Sequence, residues 1–190
     1  MECVCSGASI WVDFSKFDAL ALPFKLSYTY LMNEDAISDD KLSPAGLVNE
    51  LVMLGLVKVA WTEDEFYIAE DLSLKYNKLS LYDRVAIAID KYRHIVLLTN
   101  EPTTIEAAAE ERVPVKGTID ILDELFISKK IDYGKYRQCL VILLSMNGQE
   151  VILTEIELIC RQDRVSNLPN TSLEVVSCEE DQKESLGLAG

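Results

Sequence analysis

The near-continuous apolar run Ile95-Val96-Leu97-Leu98-Thr99 constrains this chain more than any other stretch. A strand buried on one face alternates apolar with polar residues. A strand apolar along its length needs cover on both faces, as in a parallel sheet lying between helices. Helical patterns stand on both sides of the run. Before it, Ser80-Leu81-Tyr82-Asp83 opens a helix with Val85 and Ile89 on its core face; after it, Pro102 to Glu111 reads as another. A short strand at Val113–Val115, a Lys116-Gly117-Thr118 turn and a helix from Ile119 to Lys129 follow. This alternation predicts an α/β fold, a three-layer α/β/α sandwich around a mainly parallel sheet of four or five strands.

The rest of the chain extends the pattern. Ser9–Val12 reads as a first buried strand ending in Asp13, and Phe14 to Leu22 as a helix interrupted by Pro23. Ser27–Met32 is aromatic and carries a threonine, as strands prefer. A short acidic helix is expected from Asn33 to Leu42. Ser43-Pro44 then starts a helix with Leu47, Leu51 and Leu54 on one face and Gly55 as its stop. Leu56–Ala60 reads as a third strand. Thr62 caps the next helix, with Phe66, Ala69, Leu72 and Tyr76 inward, and Asp132 to Leu144 closes the compact region. These patterns place one domain at residues 1–145. Residues 146–166 hold an extra helix carrying Val151, Ile152, Ile156, Leu158 and Ile159, to be packed on the domain or on a partner. Residues 167–190 read as an acidic, flexible tail.

Charge narrows the partners. Thirty-two acidic against 18 basic residues give a formal net charge of −14. Such a surface repels polyanions and lacks the basic footprint of a general nucleic-acid-binding module. A nucleic acid has to be met through metal ions, a local basic patch or a basic partner. Apolar stretches near Val85–Ile89 and Leu140–Leu144 are too short to span a bilayer. The start MECVCSGASIWVDF lacks the basic opening and long apolar run of a secretory signal. Five cysteines with no metal-ligand spacing read as reduced thiols, and the expected compartment is the cytoplasm. The lone His94 reads as a rim residue, and Trp11 and Trp61 as core or sheet-edge aromatics.

From Leu79 to Leu125, the order of helix, buried strand, acidic strand end, helix, short strand and Gly-Thr turn resembles the second half of a PIN domain, a nuclease fold whose carboxylates hold divalent metal. The resemblance extends more weakly back to Ile10. In that family a first Asp ends strand one, matched by Ile10-Trp11-Val12-Asp13. A second acid lies in a helix after strand two; Asp40 is matched to it, with Asp39 and Glu50 as competitors. The third lies at the helix start Leu79-Ser80-Leu81-Tyr82-Asp83-Arg84. The fourth follows the apolar strand, here Leu97-Leu98-Thr99-Asn100-Glu101. The Gly117-Thr118-Ile119 turn resembles a branch grouped with toxin nucleases of bacterial and archaeal toxin–antitoxin pairs.

The resemblance implies a metal-dependent ribonuclease. Asp13, Asp83 and Glu101 would ligate Mg²⁺ or Mn²⁺, and Asp40 would complete the shell. It also implies an RNA substrate, a small antitoxin-like partner and a homodimer. Three departures favour a second reading, a PIN-like interaction module without nuclease activity. Phe14 stands where a small hydroxyl residue usually follows the first Asp, the second acid has competitors, and the fourth is Glu rather than Asp. Each acid also has a local reading. Asp83 completes a capping box with Ser80, Glu101 suits a helix N-terminus, and Asp13 simply ends a strand.

Overall fold

The computed structural model of the chain describes residues 2–38 and 46–146. Its strands are β1 (Glu2–Ser6), β2 (Tyr28–Asn33), β3 (Val57–Val59), β4 (Val96–Leu98) and β5 (Val115–Lys116). They form one sheet in the order β3-β2-β1-β4-β5, with every pairing parallel. The helices are α1 (Ala8–Lys16), α2 (Glu34–Ser38), α3 (Leu47–Leu54), α4 (Glu63–Lys75), α5 (Leu81–Arg93), α6 (Pro102–Glu110), α7 (Thr118–Ile127) and α8 (Tyr133–Met146). The architecture is the three-layer α/β/α sandwich that the alternation predicts.

Side chains alternate across each strand, so the sheet separates two cores. Val4, Tyr30, Met32 and Leu98 face a cluster built with α1, α3, α7 and α8. Cys5, Leu31 and Leu97 face a second cluster built with α4, α5 and α6. The first is aromatic. Trp11 stacks on Phe24 at 5.4 Å and meets Tyr30 edge-on at the same distance. The second is made of small and aliphatic side chains, among them Ala69, Ala86, Ala88, Ala107 and Ala108.

The chain start differs from the expected reading. The first strand is Glu2–Ser6, not Ser9–Val12, and Ser9 to Asp13 lie within α1. The apolar run Ile10-Trp11-Val12 fits either period. Phe14, one turn beyond Ile10, decides for helix: Ile10, Trp11 and Phe14 are all buried on one face. Asp13 therefore sits inside a helix, and Ser6 ends the strand. The helix expected over Phe14 to Leu22 stops at Lys16, and Pro23–Lys25 forms a 3-10 turn.

Later elements follow their signals closely. Gly55, at φ 116°, ends α3 in the left-handed region that favours glycine. Thr62 and Glu65 form a reciprocal capping box at the start of α4. Ala69 and Leu72 are buried as expected, but Phe66 is 41% exposed and packs edge-on against Trp61 at the sheet margin. Asn33, at the end of β2, accepts the N–H groups of Asp35 and Ala36 and so opens α2. The helix start at Ser43-Pro44 and the segments assigned to 146–166 and 167–190 lie outside the described residues, apart from Met146, the last residue of α8.

Candidate functional site

β1 stands at the centre of the sheet. From it the chain builds β2 and β3 outward on one side, then crosses to lay β4 and β5 on the other. Connections leaving β1 and β4 in opposite directions open a crevice beyond their carboxyl ends, where ligands of open α/β sheets collect. A cavity of ≈ 700 Å³ occupies this position. Asp13, Asp83 and Glu101 all line it, together with Ser6, Lys16 and Asn100. Three of the four acids expected at the site therefore border one cavity. Asp40, like its competitor Asp39, lies outside the described residues; Glu50 is an exposed residue of α3 and does not line the cavity.

Asp13 reaches the cavity from the middle of α1, and its Oδ2 is held by neutral donors. Asn100 Nδ2 donates at 2.6 Å and Thr118 Oγ1 at 2.8 Å. Asn100 Oδ1 in turn accepts the backbone N–H of Thr118 at 3.0 Å, while the Asn100 N–H bonds Ser9 Oγ at 3.2 Å. A Cβ at Gly117 would lie 2.7 Å from Asn100 Oδ1, so glycine leaves room for the amide to reach Thr118. Asp120 accepts the Gly117 N–H at 2.6 Å and fixes the turn. Burial pushes the Asp13 carboxyl above its ordinary range; Thr118, Lys16 and Asn100 pull the other way.

Asp83 is engaged locally. Ser80 Oγ accepts the Asp83 N–H at 3.2 Å, the N-cap half of the expected capping box, while Asp83 Oδ2 accepts the Ser80 hydroxyl at 2.5 Å. Glu101 occupies the N-cap of α6, where its N–H bonds Thr99 Oγ1 at 3.2 Å and its side chain is exposed. At the end of β1, Ser6 Oγ donates to the Leu31 carbonyl and accepts from Trp11 Nε1 at 2.7 Å. His94 is an exposed residue at the end of α5, as its rim reading predicts.

These donors bear directly on divalent metal. Hard cations need several oxygen ligands at roughly 2.0–2.6 Å. Among the described residues, no three Asp, Glu, His or Cys side chains come together as such a set. Both hydrogen bonds to Asp13 fall on Oδ2, and Asp83 is bound to Ser80. As placed, the described residues gather no ligand set for Mg²⁺ or Mn²⁺, and Asp40 lies outside them.

Sequence reasoning passed over Asn100, Thr118 and Ser6. The polar residue following β4 and the Gly117-Thr118 turn were the available signals, but neither names a partner across the fold. No helix among the described residues is long and apolar enough to cross a membrane. No family model, curated protein or solved structure matches the chain.

Proposed function

We propose that this chain is a PIN-like α/β module that engages a partner molecule without cleaving RNA. The observation supporting this reading is the occupation of Asp13 by Asn100 and Thr118 at the cavity edge. Under the family resemblance, the acid ending strand one supplies the first metal ligand. Ser6 ends that strand here, and its hydroxyl bonds Trp11 and the Leu31 carbonyl. The net charge of −14 favours a basic partner surface and disfavours direct contact with a polyanion. In the cytoplasmic setting of this proposal, a basic protein segment fits that charge better than bare RNA.

One observation favours the competing reading, a metal-dependent ribonuclease of toxin type acting on RNA: Asp13, Asp83 and Glu101 border the same cavity. A single comparison separates the two. Wild type and Asp83→Asn are incubated with structured and unstructured RNA in Mg²⁺, Mn²⁺ or EDTA, and Mn²⁺ binding is followed by calorimetry. The module reading expects no cleavage above the EDTA control and no Mn²⁺ binding heat. Cleavage abolished by both EDTA and Asp83→Asn would overturn it in favour of the nuclease.

A further inference from the structure

Behind the cavity wall, α5 carries an acid that none of the above chemistry uses. Asp90 is 1% exposed, and neither of its carboxyl oxygens has a hydrogen-bond partner among the described residues. It belongs to the same buried stretch of α5 as Ala86, which lines the cavity one turn earlier. A second fully buried acid, Glu65 of α4, lies close enough to repel it. Glu65 is already matched: Arg93 Nε and Nη2 bond its two oxygens at 2.6 and 3.0 Å. One guanidinium thus serves two buried acids, and its hydrogen bonds go to Glu65 and the Ala60 carbonyl.

We infer that Asp90 is a proton-loaded carboxylic acid in the folded protein, and that its proton makes the stability of the fold depend on pH. An ionised carboxylate without donors in an apolar interior is far costlier than a neutral acid. The groups facing Asp90 offer little relief. From α4 comes Glu65, from α5 itself Arg93, and from β1 the buried thiol of Cys5. The other elements packed on α5, namely β2, β4 and α6, contribute Leu31, Leu97, Ala107 and Ala108 to this core. Burial holds the Asp90 carboxyl well above the ordinary carboxylate range; Arg93 opposes that shift and Glu65 adds to it.

The sign follows from proton counting. In the unfolded chain an Asp releases its proton near pH 4, at about 3.9. Above that pH the folded state binds one proton more than the unfolded state, so stability falls as pH rises, until Asp90 itself ionises. Below about pH 4 both states are protonated and the effect vanishes. On unfolding above about pH 4 the proton passes to solvent and the carboxylate is hydrated; refolding reverses both.

Urea unfolding of wild type and the isosteric Asp90→Asn variant, at intervals from pH 4 to 8, tests the inference. The wild-type unfolding constant should rise relative to the variant by up to about tenfold per pH unit above pH 4.5. Toward pH 4 the offset between the two curves should become constant. Parallel curves across the range would overturn the inference. Should the variant fail to fold, carbon-detected NMR titration of the Asp90 carboxyl in wild type decides alone. A midpoint well above the usual range supports the proton-loaded acid, and one near 4 rejects it.

Discussion

On the face of the sheet covered by α1, α7 and α8, buried polar atoms find partners. Trp11 Nε1 reaches Ser6, the Tyr30 hydroxyl donates to the Pro23 carbonyl at 2.9 Å, and the Tyr136 hydroxyl bonds Asp123. On the face covered by α4, α5 and α6, the packing is aliphatic. The buried side-chain atoms left without partners among the described residues, both Asp90 oxygens and Thr104 Oγ1, belong to α5 and α6. The difference follows from side-chain chemistry. Tyrosine and tryptophan carry a polar tip that must be placed, which ties each of these rings to one position. Alanines let helices approach closely but offer no side-chain donors to a neighbouring acid. One face is specified by mutual hydrogen bonding, while the other depends on apolar packing and on ion pairs between its helices, Arg93–Glu65 and those of Lys75 and Lys91 with Glu111.

The largest test of this contrast is Trp11→Ala. It removes a fully buried ring, its contacts with Phe24 and Tyr30, and the donor to Ser6. The expected loss is about 4 kcal/mol of unfolding free energy, read from urea midpoints. A loss below about 1 kcal/mol would show that the aromatic face is not the more tightly specified one.

Next comes the Arg93–Glu65 ion pair on the aliphatic face. Burial works against ionisation of Glu65, but the bonds from Arg93 and Thr62 overcome it and hold its carboxyl below the ordinary range. Arg93→Ala leaves that buried charge uncompensated and should cost about 3 kcal/mol at neutral pH. Adding Glu65→Gln to Arg93→Ala should recover part of the loss, because the stranded charge is then gone. Equal stability of the single and double variants would break the argument.

Asn100→Ala gives the smallest expected effect, about 1–2 kcal/mol, by removing one donor to Asp13 and the acceptor of the Thr118 N–H. The Asp13 carboxyl should also titrate at higher pH in this variant, since burial would be opposed by one fewer hydrogen bond. An unchanged Asp13 titration by NMR would remove Asn100 from the set of residues that hold it.

Residues 79 to 127 were legible because their signals are local. Ser80 caps α5 as its spacing implies, Pro102 opens α6, and the apolar strand is too uniform to belong at an exposed sheet surface. The chain start was not legible to the same degree. Ile10-Trp11-Val12 satisfies strand and helix patterns alike, and the small residues Cys3-Val4-Cys5-Ser6 carry a weaker strand signal than the β-branched and aromatic residues of β2. Only the packing of Trp11 between Phe24 and Tyr30, with its indole N–H on Ser6, selects the helix.

The sequence by itself determined the layer architecture, the α/β alternation, most helix starts and the places of Asp83 and Glu101 at helix N-termini. Those depend on periodicity and capping within a few residues. Tertiary structure alone decided what the acids face. Asp13 meets Asn100 across 87 residues and Thr118 across 105, and Arg93 meets Glu65 across 28. A carboxylate acts as a metal ligand, a hydrogen-bond acceptor or a neutral acid according to the charges and donors within a few ångströms of it. That neighbourhood is assembled by strand order and helix packing, through contacts between residues far apart in the chain.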